Sequence, residues 1–136
     1  MYTTTLTSST FMMTPNTSVP FFAVAAQAIV SGLLIFLNPP NFAAPIYGGS
    51  TNGLPVTADA PPLFIAVADD DQMFSGSSAK LYLEWKAAKR PAELHIYAKG
   101  GHGFGLTNRG WPVDSWIDRF GDWLNTQGLL KPSDAK

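Results

Sequence analysis

The chain has 136 residues and a net charge of −1, enough for one small domain with a modest core. So small a charge offers no electrostatic footprint for a nucleic acid or an anionic membrane surface. The absence of cysteine excludes disulfides, thiolate metal sites and a cysteine nucleophile; the two histidines have no acidic cluster at ligand spacing, so neither a metal nor another cofactor is expected.

The average conceals an asymmetry, because no Asp, Glu, Lys or Arg precedes Asp59. Charged residues make up about a quarter of a usual soluble domain, so residues 1–40 stand apart as an uncharged apolar segment of different origin or environment. Residues 1–20 are rich in Thr and Ser without periodicity, and are read as irregular with a short strand over 2–6. Residues 20–37 form a nearly unbroken apolar run, interrupted by Gln27, Ser31 and Gly32. It reaches the lower limit for a membrane span, about 17 residues. No Lys or Arg flanks it to orient a span, however, and no basic stretch precedes it as a signal peptide requires. A helix or strand buried against a sheet is the preferred reading. Phe21, Ala25, Ala28 and Ile29 fall at helical spacing, while residues 33–37 suit a strand equally well.

Asn38-Pro39-Pro40-Asn41 is a breaker. Residues 42–47 then read as a short buried strand ended by Gly48-Gly49, and residues 50–62, with three prolines, as a loop. Leu63-Phe64-Ile65-Ala66-Val67-Ala68 is a second buried strand. Helical spacing returns over residues 78–89, with Leu81, Trp85 and Ala88 on one face; Arg90-Pro91 closes that helix, since the residue before proline disfavours helical geometry. Residues 93–98 alternate as a third strand. The last helix is capped by Asp114 or Ser115, carries Trp116, Ile117, Phe120, Trp123 and Leu124 as an apolar stripe, and ends at Gly128. Strands alternating with helices imply a parallel sheet, here of about three strands with flanking helices.

Two strand ends carry the chemistry. The second strand runs into Asp69-Asp70-Asp71, and the third into Lys99-Gly100-Gly101-His102-Gly103-Phe104-Gly105. A histidine among four glycines sits on a loop with little bulk around it, which presents an imidazole to a substrate. An acid after one strand and a histidine after the next follow the chain order of acid and base in one class of hydrolytic triad. The plainer alternatives are a glycine-rich turn with a solvated histidine, and a charge cluster at a helix N-terminus.

Over residues 41–130 the segments PNFAAPIYGG, APPLFIAVADDDQ, KRPAELHIYAKGGHGFG and DSWIDRFGDWLNTQGLL resemble the C-terminal half of an α/β-hydrolase of the dienelactone-hydrolase and acetyl-esterase type. Residues 1–40 do not match. The resemblance implies a truncated α/β-hydrolase fold, with residues 41–136 as a C-terminal half domain. It also implies His102 as general base and Asp71 as catalytic acid, with Asp70 the runner-up and Asp69 facing solvent. Asp71 and His102 are then expected within about 2.6–3.2 Å of each other, at the C-terminal ends of adjacent parallel strands. His95, flanked by apolar neighbours, reads as structural. Phe104 suits an acyl pocket or packing, and Lys99 and Arg109 receive no role.

The third triad member is missing. The family places its serine in a G-x-S-x-G elbow between strand and helix, and this chain has no such motif. Gly48-Gly49-Ser50-Thr51-Asn52 begins like one but has Asn52 at the second glycine and is followed by a loop with Pro55. Ser50 is therefore only a substitute nucleophile. Two functions follow: an esterase-like hydrolase of short-chain carboxylic esters, catalytically incomplete as a lone chain, or a non-catalytic fragment that binds or associates with itself. The strand over 42–47 would lack its upstream neighbour, and an open strand edge is a template for pairing. A homo-oligomer built through the N-terminal half is expected, with residues 80–89 outside the interface.

Overall fold

The computed structural model describes residues 10–12, 23–25, 41–51 and 53–130. Within residues 1–40 these comprise two strands, β1 (Thr10–Met12) and β2 (Ala23–Ala25), paired antiparallel with Phe11 opposite Val24. The expected strands over 2–6 and 33–37 lie outside the described residues. Two readings change here. Thr10–Met12, within the stretch read as irregular, is a strand, and Ala25 ends a strand where helical spacing also suited it.

The rest is a three-layer α/β arrangement around one central strand. β3 (Leu63–Ala68) pairs in parallel with β4 (Ala92–Tyr97), in a register from Leu63 opposite Ala92 to Ala68 opposite Tyr97. Helix α1 (Ser75–Ala87) makes the crossover between them, and α2 (Trp116–Thr126) follows β4 after a 3-10 turn over Pro112–Ser115. β3 is an unbroken apolar run because both its faces are covered. Phe64, Ala66 and Ala68 join the cluster of Trp116 and Trp123 on the α2 side, whereas Leu63 and Ile65 meet Leu81 and Trp85 on the α1 side. This is the period of two that a strand imposes on its side chains.

The expected strand over residues 42–47 is present only as two isolated parallel bridges to β3, Ala43 to Leu63 and Ile46 to Ala66. Proline explains the shortfall. Ala43 donates to Pro62 O at 2.9 Å and accepts from Phe64 N at 2.9 Å. Continuing that ladder needs a donor at residue 45, and Pro45 has no N–H. The bonding shifts instead to Ala66, which donates to Pro45 O at 3.4 Å and accepts from Tyr47 N at 2.7 Å.

α1 begins three residues before the expected start and ends two before the expected end. Ser78, Leu81 and Trp85 form its buried face, while Ala88 lies beyond the helix as its C-cap. The buried Trp85 indole is satisfied by Pro61 O at 2.9 Å, and Ser78 Oγ donates to Gly48 O at 3.3 Å. Gly49 is required: its φ is +127°, and a Cβ there would lie 2.6 Å from Leu81 Cδ2.

In α2 neither proposed cap bonds the helix. Ser115 occupies the N-cap but its hydroxyl donates to Pro112 O at 2.8 Å, and Asp114 Oδ2 accepts from the Arg109 and Trp111 N–H groups of the preceding turn. Ile117 is 41% exposed and stands outside the stripe, which consists of Trp116, Phe120, Trp123 and Leu124. The C-terminus is a Schellman stop as expected, with Gly128 at φ +69°, Leu129 N donating to Leu124 O and Gly128 N to Asn125 O. Among the described residues no helix is long and apolar enough to cross a membrane.

Candidate active site

The site is built at the C-terminal ends of β3 and β4. Past Ala68 one more ladder bond forms, from Asp69 N to Tyr97 O at 2.6 Å, and the chain then turns. Asp71 N donates to Ala68 O at 3.2 Å, and Asp71 O accepts from Phe74 N at 3.1 Å and Ser75 N at 2.9 Å. That turn folds Asp71 inward, whereas Asp69 and Asp70 stay exposed.

Across the sheet, Gly100 leaves β4 in close contact with β3: a Cβ there would sit 3.0 Å from Ala68 Cβ. The two residues after Gly100 bring the imidazole back over Asp71, with Gly101 at φ +64°. His102 Nδ1 lies 2.9 Å from Asp71 Oδ2. The Asp71 side chain is 3% exposed and the His102 side chain 48%. The other carboxylate oxygen, Oδ1, accepts from Phe74 N at 3.3 Å. A carboxylate oxygen facing Nδ1 assigns the ring proton to that nitrogen. Nε2 is then the atom free to take up a proton.

Two aromatic rings hold the imidazole plane. Phe74 stacks on it with centroids 4.9 Å apart, and Tyr47 meets it edge-on at 5.3 Å. Phe104, read as pocket or packing, is packing: it is buried between Tyr47 at 4.9 Å and Trp116 at 6.2 Å. His95 is also packed, its ring tilted at 39° against Phe64 with centroids 5.3 Å apart and Nε2 2.7 Å from Glu93 Oε1. Asp70, the runner-up acid, does not reach the imidazole but accepts from the Gly100 and Gly101 N–H groups.

The chain around Ser50 leads elsewhere. Gly49 packs on Leu81, and Thr51 Oγ1 donates to Glu84 Oε2 at 2.8 Å. At 1.5 Å per helical residue, Glu84 lies about 15 Å along α1 from the Phe74 end where His102 sits. An open groove of ≈ 380 Å³, lined by Thr51, Leu54, Val56, Glu84 and Ala87, occupies that far end. Among the described residues, no group of three or more His, Cys, Asp or Glu converges to hold a metal.

Sequence reasoning missed Tyr47, Phe74 and Arg109. Tyr47 has φ +45°, a strained position for a non-glycine residue, but nothing in the sequence marks it apart from the glycines that follow. Arg109 donates through Nη1 to Gly100 O at 3.3 Å and lies over the Trp111 ring.

A parallel sheet between two helices, with an acid and a histidine at neighbouring strand ends, is a partial α/β-hydrolase fold. Solved structures bear this out. The acetyl ester-xyloside bifunctional hydrolase from Caldicellulosiruptor lactoaceticus matches with a TM-score of 0.60 and 22% identity, over 68% of this chain and 44% of its own. MGS-M1, an α/β hydrolase enzyme from a Medee basin deep-sea metagenome library, matches with a TM-score of 0.58 and 22% identity, over 69% and 47% respectively. The chain thus spans less than half the length of either structure. No protein-family model and no curated protein matches it.

Proposed function

We propose that this chain carries the acid–base half of a carboxylic ester hydrolase, acting on short-chain esters through Asp71 and His102. The observation that carries the reading is the 2.9 Å approach of His102 Nδ1 to a buried carboxylate, with the imidazole itself half-exposed. Asp71 orients the ring and stabilises its protonated form. His102 Nε2 takes the proton of an attacking hydroxyl as its oxygen bonds to the ester carbon. The same proton then passes from Nε2 to the departing alkoxide as the carbon–oxygen bond breaks. The hydroxyl belongs to a serine or to water. The fold neighbours, one of them named as an acetyl ester hydrolase, are in keeping with this chemistry.

A short-chain aryl ester assay tests the proposal. Hydrolysis by the full chain should fall by about 10²-fold or more in His102→Ala and in Asp71→Ala, the usual contribution of a positioned general base. A rate indifferent to both substitutions overturns it. Ser50 is examined in the same samples with a fluorophosphonate probe and peptide mapping. Label on Ser50 makes it the nucleophile in spite of its neighbours' course, and its absence eliminates it.

A second reading, a non-catalytic module that associates with itself, has one observation in its favour. All the ladder bonds of residues 43–47 go to β3. The Ala44 and Ile46 peptide groups, on the opposite flank, have no hydrogen-bond partner among the described residues. A strand flank of this kind can receive another strand, as an open edge does. This reading expects a dimer or larger oligomer at micromolar concentration by light scattering, built through the N-terminal half. A clean monomer overturns it.

A further inference from the structure

We propose that Asp70 is the positioning residue for His102, acting through the backbone of Gly100 and Gly101 and never touching the imidazole. The inference rests on the reading above that Asp71 and His102 form the working pair. It starts from a physical difficulty in that pair. A loop with glycines at 100, 101, 103 and 105 has more conformations to lose on ordering than other sequences, and those glycines add no side chains of their own to hold the backbone that carries His102. The Nδ1 bond to Asp71 and the Phe74 and Tyr47 rings fix the imidazole only if the backbone beneath it is already in place.

Asp70 supplies that placement. Its Oδ1 accepts two successive N–H groups, from Gly100 at 2.9 Å and Gly101 at 2.7 Å. Consecutive N–H groups converging on one anionic oxygen form a concavity suited to negative charge, and bonds to an ionised acceptor are the stronger kind. The opposite side of the same residue is held too, since Arg109 Nη1 donates to Gly100 O at 3.3 Å. Further along, Trp116 Nε1 donates to Gly105 O at 2.7 Å and closes the loop's other end. Adjacent aspartates on the β3 turn thus divide the work. Asp70 sets the backbone from which His102 hangs, and Asp71 receives the ring that results.

The geometry also explains why the two cannot exchange roles. Asp71 is folded inward by its bonds to Phe74 and Ser75, whereas Asp70 projects outward over the loop. Asp70 therefore meets peptide groups that come before His102 in the chain, and Asp71 meets the side chain.

Nuclear magnetic resonance of the ¹⁵N-labelled full chain tests the proposal without needing activity. Long-range ¹H–¹⁵N spectra read the tautomer of each histidine, and His95→Gln assigns the two. In the unsubstituted protein His102 should be held as the Nδ1–H form. Asp70→Ala should release it to a mixture with the Nε2–H form, and speed amide exchange at Gly100 and Gly101 about 10-fold or more. Asp70→Asn, whose side-chain oxygen still accepts, should restore the Nδ1–H form. Arg109→Ala should loosen the same amides less. A His102 tautomer unchanged in Asp70→Ala, with indole signals showing a folded core, overturns the positioning role. Asp71→Ala separates the two readings: it should free the tautomer while Gly100 and Gly101 keep their slow exchange. A tautomer unaffected by Asp71→Ala overturns the Asp71–His102 pair instead.

Discussion

All six residues of β3 are buried, whereas β4, its partner residue for residue, is only partly covered and carries Glu93 and His95 among its apolar side chains. The same contrast continues past the strand ends, where Asp71 is buried and His102 half-exposed. A central strand flanked on both sides holds a carboxylate rigidly in a dry setting. β4, an edge strand among the described residues, presents its histidine to whatever approaches. The asymmetry of the pair is thus inherited from strand position, before any side chain of the site is considered.

The largest effect should come from breaking the central strand. Phe64 is fully buried and meets Phe120 at 5.0 Å and Trp123 at 5.5 Å. Phe64→Ala should lower unfolding stability by about 3–5 kcal/mol, the usual loss for an aromatic removed from a core. Ile96→Ala, on the exposed side of β4, should cost less than about 0.5 kcal/mol. Urea denaturation of both variants measures the contrast, and comparable losses would show that β4 is as deeply supported as β3.

Gly100→Ala tests the junction where the two strands' extensions meet. The added Cβ would lie 3.0 Å from Ala68 Cβ and 3.2 Å from both Val113 methyls, all belonging to buried residues. Overpacking of that kind should cost about 1–3 kcal/mol and lift the His102 loop off β3. An unchanged urea midpoint argues that the loop already stands away from the strand.

The elements legible in the sequence were those with a face to bury. β3 announced itself as a continuous apolar run, β4 by alternation, and α2 by its tryptophans and Gly128. The start of α1 was not legible, because Phe74 at its N-cap makes no side-chain bond and Gly76 weakens the helical pattern. It begins where it does because Asp71 O accepts from Ser75 N, a consequence of how the aspartate turn folds. The 42–47 segment looked like a strand by composition, and one missing N–H at Pro45 reduced it to bridges. In the site, the order of acid and histidine was visible. The partners of Asp70 and Arg109 were not, since a bond to a peptide group leaves no second residue type in the sequence to look for.

The smallest effect concerns a polar atom that the α2 face of β4 leaves stranded. Among the described residues the buried Tyr97 hydroxyl has no hydrogen-bond partner, and the nearby Ser115 hydroxyl gives its own bond to Pro112 O. Burial pushes the Tyr97 phenol above its ordinary value, with Ser115 and the Arg119 charge offsetting part of the rise. A group whose folded pKa is raised stabilises the fold below its unfolded pKa and loses that contribution as pH climbs through the folded value. The unfolded chain ionises first, near pH 10. Stability should therefore fall as pH rises above about 10, and Tyr97→Phe should remove that share of the alkaline loss. At neutral pH the same substitution deletes an unsatisfied hydroxyl while keeping the ring, so stability should hold or rise by up to about 1 kcal/mol. Urea midpoints at neutral and alkaline pH, compared between Tyr97 and Phe, read both effects. A loss at neutral pH would mean that the hydroxyl bonds Ser115 in solution, and that this face of β4 is better satisfied than its exposed edge suggests.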